Sequence, residues 1–213
     1  MNSRKSKKLA AILEAENFRL FEPRTFLFQL KDNSQYHEEA LNTYQSLLAG
    51  SGNPFPLQVT FNVIHDNFVL ILDEELAFNR YRKKTLQSSV YEKFDGLNTG
   101  QYKRYCRLYE HNCLKVGLQN DIWSNANAEQ LFGKPSEPGD FFANGSPGWK
   151  LNAFRDYMQD IYSLQNKWNL YRISIYDNLL IEGKLQPLGK LLETGSERYH
   201  LGIFNFLKLK LKL

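Results

Sequence analysis

The stretch FVLILDEELAFNRYRKKTL, residues 68–86, constrains this chain more than any other part of it. Phe68 to Leu72 is almost wholly apolar, the pattern of a central strand covered on both faces. The run ends in three consecutive acids, Asp73, Glu74 and Glu75, and a basic segment follows at once with Arg80, Arg82, Lys83 and Lys84. A strand buried on both sides needs flanking layers, so the expected class is α/β: a single domain over residues 1–213, with a mixed β-sheet of four to six strands flanked by helices.

The surrounding text supplies the other layers. Residues 57–64 alternate, with Leu57, Val59, Phe61 and Val63 on one face. His65-Asp66-Asn67 then makes a turn, so this strand and the apolar run read as a β-hairpin feeding a helix. Residues 3–16 read as an N-terminal helix with Leu9, Ile12 and Leu13 in one stripe. The cations Arg4, Lys5, Lys7 and Lys8 oppose the dipole at its start, which predicts a frayed end. Helical periodicity recurs over residues 36–49, 78–94, 101–116 and 149–164. The segment 24–30 fits a strand or a helix. Residues 170–176 alternate as a strand, and 179–182 read as its return. From Leu207 to Leu213 leucine and lysine alternate strictly, the pattern of an edge strand guarded by lysines. Between them, residues 117–148 hold five glycines and three prolines and read as a long irregular loop. Within it, Ser146 and Pro147 are placed to cap and open the next helix.

Composition sets limits on function. The 27 basic and 23 acidic residues leave a net charge of +4, which permits a phosphate-bearing partner without demanding one. No run of ~18 uninterrupted apolar residues occurs, so no membrane span is expected, and the basic start lacks a secretory apolar core. A cytoplasmic protein is the expectation. Cys106 and Cys113 fit no common zinc or redox spacing and read as reduced thiols. His37, His65, His111 and His200 show no zinc-ligand spacing either. Tyr102, Lys103, Arg104, Tyr105, Arg107 and Tyr109 interleave rings and cations. Such a mixture suits nucleic acid, but on a helix the tyrosines form a buried stripe with the cations solvated.

The acidic-basic cluster carries the sharpest functional reading. On an extended chain Asp73 and Glu75 point the same way and can share one magnesium ion. With a helix starting near residue 78, Arg80 and Lys84 lie one turn apart and can neutralise a phosphate. The competing reading places Glu74 and Glu75 in a helical first turn, paired with the nearby cations.

A strand with an acid-rich end leading into a basic helix resembles the core of the PD-(D/E)XK nucleases, in particular their very-short-patch-repair-like branch. There a motif of the type I-E-x-D-x-x-x-H opens a helix. Here Asp73 matches the strand aspartate, Ile71 stands where the glutamate belongs and Ala77 where the histidine belongs, and Thr60 or Asn62 occupies the place of the first aspartate. The resemblance spans about 30 residues and implies a restriction-endonuclease-like sandwich with metal-dependent phosphodiester hydrolysis. Asp73 and Glu75 would be metal ligands, and Arg80 or Lys84 would steady the scissile phosphate. The alternative is a non-catalytic interaction module on the same scaffold, with residues 117–148 as its contact surface.

Overall fold

The computed structural model describes residues 3–48, 50 and 52–213, Asn120 through its backbone alone. The chain divides into two compact units. One comprises residues up to Thr25, Thr60–Glu74 and Lys167–Leu213; the other comprises Phe26–Val59 and Glu75–Asn166.

The first unit is built on helix α1 (Arg4–Ala15), strands β3 (Val63–Ile64), β4 (Val69–Asp73), β5 (Leu170–Ser174), β6 (Asn178–Ile181) and β7 (Lys184–Pro187), and helices α9 (Leu188–Thr194) and α10 (His200–Leu211). The apolar run of the sequence is β4, and it is central: the order is β3-β4-β5. β3 and β4 form a hairpin, Val63 opposite Leu70 and Ile64 opposite Val69, so only the last two residues of the strand expected over 57–64 pair with the apolar run; the rest is a separate strand of another sheet. β5 pairs with β4 in parallel, so this sheet is mixed. It stops at three strands. The return strand 179–182 pairs instead with β7 as a separate hairpin. β1 (Arg24–Phe28) pairs with β2 (Leu57–Phe61), each strand passing from one unit to the other. Among the described residues the strands thus make three small sheets where one of four to six strands was expected.

The C-terminal alternation is a helix, not an edge strand. Leu207 and Leu211 stand four apart on the buried side of α10, in line with Ile203, while Leu209 is 82% exposed. Leucine and lysine are strong helix formers and no β-branched residue follows Ile203, so propensity favours the helix over the period-2 reading. The start of α1 is also better held than its charges predict. Ser3 accepts from the Ser6 backbone N–H. Lys5 lies 3.1 Å from Glu193 and 3.7 Å from Glu74, and Lys8 Nζ donates to the terminal carbonyls of α9 at Leu192 (2.7 Å) and Glu193 (3.0 Å). A cation at that helix end complements its dipole.

The second unit is mostly helical: α2 (His37–Ser46), α3 (Arg80–Thr85), α4 (Thr99–Leu108), α5 (Glu110–Gly117), α6 (Asn120–Trp123), α7 (Ala126–Phe132) and α8 (Pro147–Gln165). Position 49, the end of the helix expected over 36–49, lies outside the described residues. The helix expected over 78–94 is α3 followed by a 3-10 turn at Ser89–Lys93. The Glu39 carboxylate accepts from Ser88 Oγ (2.7 Å) and the Ser89 backbone N–H (3.1 Å), fixing the break. The helix expected over 101–116 is divided at Tyr109 into α4 and α5. Residues 117–148 are not an unstructured loop. α6 and α7 lie inside them, the latter capped by Asn125. Trp123, Phe141 and Trp149 pack ring against ring at 5.4–5.6 Å. Ser146 caps α8 by accepting from the Trp149 N–H, with Pro147 first in the helix. Gly148 is where α8 meets α6, and a Cβ there would fall on the Ile122 carbonyl oxygen. α8 is buried along most of its length and carries the core of this unit.

Candidate functional site

The residues singled out from sequence stand in two settings. Asp73 ends β4 in the first unit. Ile71 lies opposite Arg172 in the parallel pair, which puts Arg172 on the same sheet face as Ile71 and Asp73. Its Nη1 donates to Asp73 Oδ1 at 2.6 Å, with both residues almost fully buried. A divalent cation at this carboxylate would have to share its oxygens with that guanidinium. Arg172 thus occupies Oδ1 of the carboxylate expected to hold magnesium. Among the described residues no group of three or more His, Cys, Asp or Glu side chains is arranged to hold a metal ion.

Glu75 opens a 3-10 turn, Glu75–Ala77, in the second unit, where an acid complements the helical dipole. Asn79 then caps α3, its side-chain oxygen accepting from the backbone N–H of Tyr81 and Arg82. Arg80 is closed by Glu110. Its Nε and Nη2 donate to the two carboxylate oxygens at 2.8 and 2.9 Å, and its backbone N–H to Oε1 at 2.8 Å. That hydrogen bonding raises the Arg80 pKa further, against a smaller opposing effect of burial. The guanidinium also lies 3.8 Å from the centre of the Phe141 ring. Arg82 points inward, where Nη2 donates to Asp160 Oδ2 at 2.9 Å and Nη1 to Tyr91 Oη at 2.8 Å. Tyr91 in turn donates to Asp160 at 2.6 Å. The sequence reading missed both Arg172 and Asp160 as partners. Each is a charge inside an apolar periodic segment, and that anomaly is the signal that could have found them.

The basic half of the cluster is arranged differently. Lys84 is exposed and Lys83 half-buried on α3, and α4 presents Arg104 and Arg107 to solvent with Lys103 half-buried. None of the five makes an ion pair among the described residues. Residues 80–108 carry eight cations and two acids, Glu92 and Asp95. Tyr102 and Tyr105 form the buried stripe of α4 against Phe78, so its rings are not a stacking surface.

Two further groups bear on chemistry. Burial pushes the Cys113 thiol up to about 12, which favours the protonated thiol. Lys150, in the first turns of α8, is fully buried and makes no ion pair among the described residues. Its Nζ donates to Asn144 Oδ1 at 2.6 Å, and burial, with Lys84 adding to the effect, lowers its pKa to about 8.

Fold and site together describe a mixed α/β protein whose strand-end carboxylate is closed by arginine while cations on α3 and α4 remain open. The chain belongs to a family of unknown function (DUF7255), whose model matches residues 39–194, well over half its length. That span contains Asp73, Arg172 and all of α3 to α8. Comparison with curated proteins and with solved structures returned no match.

Proposed function

We propose that the protein is a non-catalytic module that binds nucleic acid through the basic surface of α3 and α4. The observation that carries this reading is the contrast within one short segment. Asp73 is neutralised by Arg172 at 2.6 Å and Arg80 by Glu110, whereas Lys83, Lys84, Lys103, Arg104 and Arg107 have no acid partner among the described residues. A cleaving site of the restriction-endonuclease-like kind would need the Asp73 oxygens for a cation, and the guanidinium competes for them. Open cations on neighbouring helices suit phosphate contacts, which position a backbone without reading its sequence.

The test is fluorescence anisotropy with labelled DNA and RNA oligonucleotides over a salt series. Binding should weaken linearly in log–log form with added salt, and the Lys84→Ala and Arg104→Ala variants should each reduce the slope by about 1. The same oligonucleotides should stay intact with magnesium or manganese. Absence of binding at low salt would overturn the proposal, and so would metal-dependent cleavage that Asp73→Asn abolishes.

A further inference from the structure

A cavity of about 360 Å³ lies on the second unit, between the 53–58 segment and helices α7 and α8. Its floor is apolar, with Phe55, Leu57 and Leu151 buried, and the Phe55–Pro56 peptide is cis. Its rim is made of amides: Asn53, Gln58, Asn127 and Gln130 are all exposed. Gln58, Asn127 and Gln130 make no side-chain hydrogen bond among the described residues. Asn53 uses its oxygen to accept from the Phe55 backbone N–H at 2.9 Å, which leaves its NH2 group to donate.

One cation enters this cavity, Arg155 from the middle of α8. Its surroundings differ from those of Arg82, Arg80 and Arg172. No carboxylate among the described residues lines the cavity. Among the described residues Arg155 makes no hydrogen bond or ion pair, and its Nε is buried without an acceptor. Burial lowers its pKa, with the adjacent Asp156 only partly opposing. A guanidinium donor buried without an acceptor is costly, so the fold holds this group at a disadvantage.

We infer that this cavity is a binding site for a small oxyanion, a carboxylate or a phosphate, held by the Arg155 guanidinium and the surrounding side-chain amides. The planar fork of arginine matches either group with two parallel hydrogen bonds. The amide NH2 groups add neutral donors, and no acid of the lining repels the ligand. The reading is independent of the α3–α4 surface and involves none of its residues.

The experiment is an NMR titration of the full chain, observing the Arg155 Nε–H and the Asn and Gln side-chain amides. Succinate and inorganic phosphate are the probes, in separate arms against sodium chloride at matched ionic strength. Saturable shifts of the Arg155 signal with phosphate assign a phosphate ligand, and saturable shifts with succinate assign a carboxylate. Arg155→Gln should weaken the binding by roughly tenfold or more while leaving oligonucleotide binding unchanged. Arg155→Met should melt at or above the wild-type temperature without a probe, because no internal partner is lost. Shifts no larger than those with chloride, or an Arg155→Gln variant that binds as the wild type does, would overturn the inference. A large fall in melting temperature for Arg155→Met would do the same, since it would make Arg155 a structural strut.

Discussion

The end of β4 and the cavity beside α8 each present a guanidinium, and they treat it in opposite ways. At β4 the partner is a carboxylate 2.6 Å away, and the pair is sealed from water. At the cavity the partner is missing among the described residues, and amides stand around the gap. Charge pattern alone drew attention to the first place and passed over the second. The difference teaches that a charged cluster in sequence marks where charges are dense, whereas a binding site is where a charge is left incomplete. A closed pair serves the fold, and an open one costs stability until a ligand arrives.

The strongest way to break this contrast is to open a closed pair. Asp160→Ala removes the carboxylate that Arg82 and Tyr91 both donate to, so chemical denaturation should show a loss on the order of 3–5 kcal/mol. Asp73→Ala should fall in the same range through Arg172. A loss below about 1 kcal/mol in both would mean the pairs are not what closes these positions.

Lys150 is intermediate, since its partner is an amide and not a carboxylate. Its folded pKa is about 8 against an ordinary 10.5, so the unfolded chain binds more protons between those values, and this group adds stability as pH rises through the window. The stability of the wild type relative to Lys150→Met should therefore increase from pH 8 toward 10.5. Cys113 works the other way. Its folded pKa of about 12 lies above the usual 9.0, so it removes stability above pH 9, but equally in both proteins. A difference that stays flat with pH would show that Lys150 titrates normally.

Smaller again is Arg155→Met, which should be neutral or stabilising by up to about 1 kcal/mol in denaturant melts without ligand. Arg80→Ala is of similar size and opposite sign. Its pair with Glu110 is bidentate but reaches solvent, with Arg80 46% exposed, so the loss should be under about 1 kcal/mol and should shrink with salt.

Local features were well written in the sequence. The turn joining β3 to β4, the central position of β4, the stripe of α1 and the Ser146–Pro147 start of α8 all follow from periodicity and cap chemistry, whereas the pairing of residues 57–61 with β1 instead of β4 does not. What escaped depends on distance or on a tie between periods. Arg172 meets Asp73 across 99 residues, and a strand pairing of that separation leaves no local mark. Leu207 and Leu211 satisfy period 2 and the i,i+4 spacing alike, and the period alone could not decide between them; propensity and the packing of α10 do. Tyr109 divides α4 from α5 without glycine or proline, the usual punctuation. Arg155 was invisible because a single arginine in an amphipathic helix reads as a solvated charge.

The parallel pairing of β4 with β5 also sets an order of events on the ribosome. Asp73 leaves the exit tunnel long before the guanidinium that will neutralise it, and the whole stretch from residue 75 to residue 166 is made in between. At ordinary rates of ~5–20 residues per second, the nascent sheet waits several seconds with an acid at its open end. The helical unit can finish folding during that delay, and the mixed sheet is completed only when the later strand arrives.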